Sequence, residues 1–82
     1  MPLYTYVLTH RGNTVVLQES RSNYRGWMSE VIARAFPKDA KSIAIAYRQK
    51  DPEPVDNLSN VWQWSAEMAD AKITVSIIET KR

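Results

Sequence analysis

The chain contains no cysteine, which excludes disulfide bonds, thiolate metal ligands and a cysteine nucleophile. It has one histidine, His10, so a single chain cannot supply the several imidazoles of a histidine-rich metal site. Only two glycines are present, and neither a glycine-rich phosphate loop nor a known RNA-binding signature is visible. No segment approaches the ~18 apolar residues of a membrane span. We therefore expect no metal, no cofactor and no membrane partner, and a cytoplasmic location.

What is present is typical of a folded domain. Hydrophobic residues make up 44% of the 82 residues and charged ones 24%. This length has room for one core, so residues 1–82 are predicted to form a single domain. The net charge is only +2, but residues 1–50 carry eight basic and three acidic side chains, whereas residues 51–82 carry three basic and six acidic ones. This uneven distribution of charge either steers a charged partner to a binding site or has no function, since charges on a small domain rarely divide evenly.

Alternating apolar residues predict a β-hairpin at the amino end. Residues 3–10 alternate, and Gly12-Asn13 offers a two-residue turn because glycine tolerates positive φ. This turn sets Leu8 opposite Leu17. One face of the hairpin then carries the large apolar side chains, and the other is neutral and rich in threonine.

A helix is predicted after this hairpin. Residues 20–23 offer capping side chains, and Pro37 ends the helix because the residue before a proline avoids the α region. Its apolar face would be formed by Tyr24, Met28, Val31, Ile32 and Ala35. Residues 39–50 fit a helix or a strand, and a helix capped by Asp39 is the preferred interpretation. Residues 51–57, with two prolines, are predicted to be an extended loop.

A second hairpin is predicted at the carboxyl end. Trp62, Trp64 and Ala66 alternate with polar residues, as do Ile73, Val75 and Ile77 after a turn near Asp70-Ala71. This turn pairs Trp64 with Ile77, and Trp64 is expected in the core. The predicted fold class is α+β, a small antiparallel sheet of two β-hairpins packed by one or two helices in the order β-β-α-α/β-β-β.

The sheet face that the core does not use is predicted to be neutral. It would carry Thr5, Val7, Thr9, Val16, Gln18, Gln63, Ser65, Thr74, Ser76 and Ile78. Solvated sheet faces normally carry more lysine and glutamate, so one interpretation is that this face contacts a partner or a second copy of the chain. The alternative is that it is an ordinary threonine-rich surface.

The most specific local candidate for ligand binding is the segment from residue 20 to residue 27. A helix amino terminus favours anions, and arginines with flat rings beside it would suit phosphate, carboxylate or a stacked base. The candidate residues are Arg21, Ser22, Asn23, Tyr24, Arg25 and Trp27, together with Trp62, whose ring lies near a strand end. The alternative is that Ser22 or Asn23 only caps the helix, that Tyr24 and Trp27 pack on the sheet, and that both arginines are solvated.

The sequence indicates no catalytic triad and no close pair of carboxylates. Removal of Met1 would expose Pro2 as a secondary amine able to act as base or nucleophile. Residues 2–7, followed by a helix up to Pro37, resemble the tautomerase superfamily. The resemblance implies a catalytic amino-terminal proline and arginines that hold a carboxylate substrate. The chain departs from that family at residues 12–19, where a hairpin partner stands between the first strand and the helix.

These observations rank three functions. The first is a small non-enzymatic interaction module that binds a protein partner or another copy of itself. The second is a nucleic-acid or anion-binding domain that uses Arg21 and Arg25. The third is an isomerase that depends on Pro2.

Overall fold

The computed structural model describes residues 2–22, 28–67 and 71–80. Its elements are, in chain order, β1 (Leu3–His10), β2 (Asn13–Ser20), α1 (Met28–Ala35), α2 (Ala40–Gln49), β3 (Glu53–Pro54), β4 (Val61–Glu67) and β5 (Lys72–Thr80). The strands form one antiparallel sheet in the order β2-β1-β5-β4-β3. The predicted α+β class is confirmed, and residues 39–50 contain a helix.

One face of the sheet packs against both helices and forms the core. Its fully buried side chains come from both layers and include Tyr6, Leu8, Met28, Ile32, Ile43, Trp64, Ile73, Val75 and Ile77. Burial of each large apolar side chain contributes about 1.5–3 kcal/mol, so the sheet and the helices depend on each other for stability. Trp64 lies in the core as predicted, and its indole Nε1 donates to the carbonyl of Lys50 at 2.9 Å.

The first hairpin has the predicted faces but a different register. Leu8 pairs with Val15, not with Leu17. The turn lies one residue earlier than predicted, at Arg11 and Gly12, whose φ angles are 52° and 78°. Positive φ at both central residues gives the turn that matches the twist of a hairpin. A shift of two residues leaves every side chain on its own face, so the alternation alone cannot reveal it.

The second hairpin differs from the prediction in the same way. Trp64 pairs with Val75 rather than Ile77, and Trp62 takes Ile77 as its partner. The apolar face again matches the prediction. The turn itself, residues 68–70, lies outside the described residues.

The helices agree with the predicted pattern in most respects. On α1, Arg34 donates to Glu30 at 3.0 Å, the expected i,i+4 pair. On α2, Ile45 points to solvent and is 57% exposed. Asp39 occupies the N-cap position of α2 as predicted, but its side chain makes no capping hydrogen bond, so only the predicted capping role is wrong. No helix among the described residues is long and apolar enough to cross a membrane.

The loop predicted over residues 51–57 contains β3, a two-residue strand that the sequence analysis missed. Glu53 pairs with Gln63, and Pro54 pairs with Trp62. Because proline has no N–H, it is confined to strand edges, and β3 stays short. The sheet therefore has two unlike edges, a short one that contains proline at β3 and an eight-residue one at β2.

Candidate binding surfaces

The sheet face opposite the helices, called the open face below, has the predicted neutral composition. Thr9, Val16, Gln18, Gln63 and Thr74 are exposed on it, and Thr5, Val7, Ser65, Ser76 and Ile78 are half-buried. Its polar side chains bond partly to one another, since the Gln18 amide donates to the Thr5 hydroxyl at 3.0 Å. The charged pair Glu67 and Lys72 faces across β4 and β5 at one end. The middle of the open face is therefore free of charge.

The outer side of β2 presents backbone groups that no described strand pairs with. A two-residue turn makes His10 and Asn13 the first hydrogen-bonded pair, so the odd-numbered residues of β2 bond to β1. The amide of Arg21 continues this pattern by donating to the carbonyl of Pro2 at 3.2 Å. The N–H and C=O groups that point away from β1 belong to Thr14, Val16, Gln18 and Ser20.

The side chains of β2 are uncharged over most of its length. The four residues with outward backbone groups place exposed side chains on the open face, and Val16 is 57% exposed. Val15 and Leu17 lie half-buried on the helix side. The one charged residue of the strand, Glu19, forms ion pairs with Arg34 and Arg21.

The structure separates the residues predicted to bind a ligand. Arg21 lies directly after β2, with Nη2 3.5 Å from the Glu19 carboxylate, and Ser22 is exposed. Trp62 is half-buried on β4 and packs against the core. Because β1 and β5 lie between β2 and β4, Trp62 and Arg21 are about 14 Å apart across the sheet, and the register places them a further four residues, about 13 Å, apart along the strands. The other candidates, Asn23, Tyr24, Arg25 and Trp27, lie outside the described residues.

A cluster around His10 was missed by the sequence analysis. The imidazole is buried, with 1% of its side chain exposed, and the Phe36 ring contacts its ring edge-on at a centroid distance of 5.2 Å. Its Nε2 lies 3.0 Å from Oδ2 of Asp39, and its Nδ1 lies 3.3 Å from the carbonyl of Lys72. Both ring nitrogens therefore face acceptors, and only the imidazolium form donates to both.

Asp39 joins the first hairpin to the linker between the helices. Oδ2 accepts from His10 and also from Nε of Arg11 at 3.3 Å. The hydrogen bond from His10, helped by Arg11, holds the pKa of the Asp39 carboxyl below its usual value. The sequence pattern predicted a helix cap for Asp39 and no partner for His10, because 29 residues separate them and no local pattern joins a strand end to a helix start.

An open cavity of about 290 Å³ lies beside this cluster. Its walls include the apolar residues Ala35, Phe36 and Pro37 together with His10 and the cationic side chains of Arg11 and Lys38. Apolar surface dominates the walls, and the charged groups are few.

The described residues contain no group of three His, Asp or Glu side chains close enough to hold a metal ion. No family model matches the sequence, and neither a curated protein nor a solved structure matches it. The geometry of the β2 edge and of the His10 cavity is therefore what points to a function.

Proposed function

We propose that this chain is a non-enzymatic interaction module that pairs with a second copy of itself through the outer edge of β2. The observation that supports this is an eight-residue edge strand without proline or lysine. Natural sheets protect their edges with short strands, prolines, charges or bulges. The β3 edge is short and contains a proline and the charged Glu53, whereas no described residue covers the β2 edge, which is suited to receive another strand.

The sequence of β2 favours a copy of itself as that strand. Two antiparallel copies related by a two-fold axis at Val16 would set Thr14 opposite Gln18 and Val15 opposite Leu17. No charged side chain would face another charge within these pairs. An axis at Leu17 would instead set Val15 opposite Glu19, which already pairs with arginines in its own chain. The axis at Val16 is therefore the better one.

The expected affinity is modest. The axis at Val16 allows about six new backbone hydrogen bonds, worth roughly 1 kcal/mol each. Association costs at least about 4 kcal/mol in lost translational and rotational freedom, so the strength of pairing depends on the two Val15–Leu17 contacts and the central valine pair. With about 0.5–1 kcal/mol for each of these three contacts, the balance is roughly 3.5–5 kcal/mol in favour of pairing, so we expect a dissociation constant on the order of 1 mM.

Sedimentation velocity from micromolar to millimolar protein tests the pairing with a matched pair of variants. Val16→Lys places a charge on the edge and should give a monomer. Ile45→Lys is the control, because Ile45 is also 57% exposed but lies on the helix α2, outside the sheet. It should associate like the parent chain. A parent chain that stays monomeric at millimolar concentration would overturn the proposal.

A second comparison separates edge pairing from stacking of two open faces. Val16→Pro removes an N–H that points away from β1, a position where an edge strand tolerates proline. Thr74→Lys instead places a charge on β5, in the middle of the open face. Edge pairing predicts a folded monomer for Val16→Pro and a dimer for Thr74→Lys. The reverse result contradicts the proposed edge and indicates face-to-face contact.

Because the chain has no cysteine, single cysteines can report the two-fold axis. Val16→Cys would bring two sulfurs together on the axis, since the Cα atoms of a hydrogen-bonded antiparallel pair lie about 5.5 Å apart and disulfides span about 4.4–6.8 Å. Mild oxidation should therefore give a covalent dimer. Thr74→Cys and Ile45→Cys should give much less, and equal crosslinking of all three would rule out a defined edge.

The other functions stay predictions. The nucleic-acid or anion site depends on residues 23–27, and the isomerase depends on the fate of Met1, all of which lie outside the described residues. A cytoplasmic location, which a chain without disulfides favours, also stays a prediction.

A further inference from the structure

We propose that the cavity beside His10 binds a small aromatic monocarboxylate. The cavity lies between the β1–β2 turn and the linker from α1 to α2, and its volume is about 290 Å³. Binding sites for small molecules are mostly apolar hollows of about 300–1,000 Å³ with a few placed polar groups. This cavity lies just below that range, which suits a single substituted ring.

The sign of the ligand's charge follows from the groups around the cavity. Arg11 and Lys38 line it, and each of them carries a positive charge. The one carboxylate in the wall, Asp39, already accepts from His10 and Arg11. Positive charge is therefore in excess, and an anion is favoured over a cation.

The kind of anion follows from the rest of the wall. Ala35, Phe36 and Pro37 supply apolar surface that a strongly hydrated dianion such as phosphate would leave unused. An aromatic ring can pack against Phe36 while its carboxylate stays at the solvent-accessible cations. An aromatic monocarboxylate uses both parts of the wall.

Benzoate is the probe, and amide chemical shifts measured by NMR at pH 6.0 and constant ionic strength are the readout. We expect saturable shifts confined to residues 10–13 and 35–39, with a dissociation constant of about 1–10 mM for so small a ligand. Acetate tests the charge without the ring, and benzyl alcohol and benzylamine test the ring without the negative charge. All three should bind at least about fivefold more weakly.

A matched pair of surface variants places the site. Lys38→Glu reverses a charge in the cavity wall and should weaken benzoate binding by about tenfold or more. Lys41→Glu reverses an exposed charge on α2 outside the wall and should leave the affinity unchanged. The Val16→Lys variant should respond to benzoate like the parent chain, so the result does not depend on self-pairing.

Three results would overturn the proposal. The first is the absence of saturable shifts up to about 50 mM benzoate, well above the expected dissociation constant. The second is equal binding of benzylamine, which would show that the charge excess plays no part. The third is an equal loss of affinity in both lysine variants, which would place the anion elsewhere.

Discussion

Replacement of Tyr6 by phenylalanine should stabilise the protein. The Tyr6 side chain is fully buried, and its hydroxyl has no hydrogen-bond partner among the described residues. A buried polar group without a partner costs about 1–3 kcal/mol, and Tyr6→Phe removes this group while the ring stays in the core. The lost contacts of one oxygen offset a fraction of the gain. We expect a net increase of about 1–2 kcal/mol in the free energy of unfolding.

Tyr4 provides the matched control, since it is a second buried tyrosine on the same face of β1. Its hydroxyl donates to Oε2 of Glu79 at 3.0 Å. A hydrogen bond to a charged acceptor contributes about 1.5–3 kcal/mol, so Tyr4→Phe should lower stability. The two identical substitutions should therefore have opposite signs.

Urea unfolding at pH 7 and low protein concentration measures both variants. A gain of 1 kcal/mol should raise the Tm by about 4–8 °C in a domain of this size, which thermal scans can confirm. If Tyr6→Phe destabilises the protein as much as Tyr4→Phe, the Tyr6 hydroxyl must have a partner and the reasoning is refuted.

The pH dependence of stability gives an independent check on Tyr6. Burial, with the nearby Tyr4 adding to the effect, raises the pKa of the Tyr6 phenol to about 12. The unfolded chain loses this proton near pH 10, so the stabilisation is complete below pH 10 and is lost as the pH rises toward 12. The full loss is about 2–3 kcal/mol. Tyr6→Phe should lose less stability over this window, and an identical alkaline slope would contradict the assignment.

Three further perturbations have clear expectations. Because His10 lowers the pKa of Asp39, the carboxylate stabilises the folded protein above about pH 3.8, and this stabilisation is lost as the pH drops through the pKa of the folded state. Asp39→Asn should therefore make the free energy of unfolding less dependent on pH in acid, as followed by circular dichroism. Gly12→Ala adds a side chain at φ 78° in open space, so strain alone should cost about 1 kcal/mol in urea unfolding, and Gly12→Asn should cost less. Trp64→Phe loses the hydrogen bond to Lys50 and core volume, so we expect a loss of about 2–4 kcal/mol in the free energy of unfolding. For each of the three variants, the absence of the expected change would contradict the role assigned to the residue.

The sequence predicted which face each strand residue occupies, but not which residues are opposite each other. Leu8 lies on the core face in any register that differs from the native one by an even number of residues, and hydrophobic burial selects only the face. The register depends on the turn, and arginine rarely adopts the positive φ that Arg11 has there, so the sequence does not predict the position of the turn. Residues 39–50 also fitted both a helix and a strand, because the exposed Ile45 interrupts the helical spacing of apolar residues on α2.

The cluster around His10 could not be predicted from local patterns. His10 ends a strand and Asp39 begins a helix, and the pair forms only when α1 packs on the sheet and its following linker reaches the first turn. A signal was nevertheless present in the alternation itself, because His10 falls on the same face as Tyr6 and Leu8. A buried histidine needs partners for its ring nitrogens, so a polar group from a distant part of the chain is expected beside it.

The two edges of the sheet depend on contacts that hairpin patterns do not encode. Either hairpin alone has two free edges, and the sequence does not say which strands meet. In the structure β1 pairs with β5, strands from opposite ends of the chain, and this pairing leaves β2 and β4 as the outer members. The segment with prolines at residues 52 and 54 then covers β4 with the short strand β3, whereas no described segment covers β2. The proposed pairing surface is thus a consequence of topology, because the same uncharged residues of β2 in a central strand would have no free backbone groups to offer.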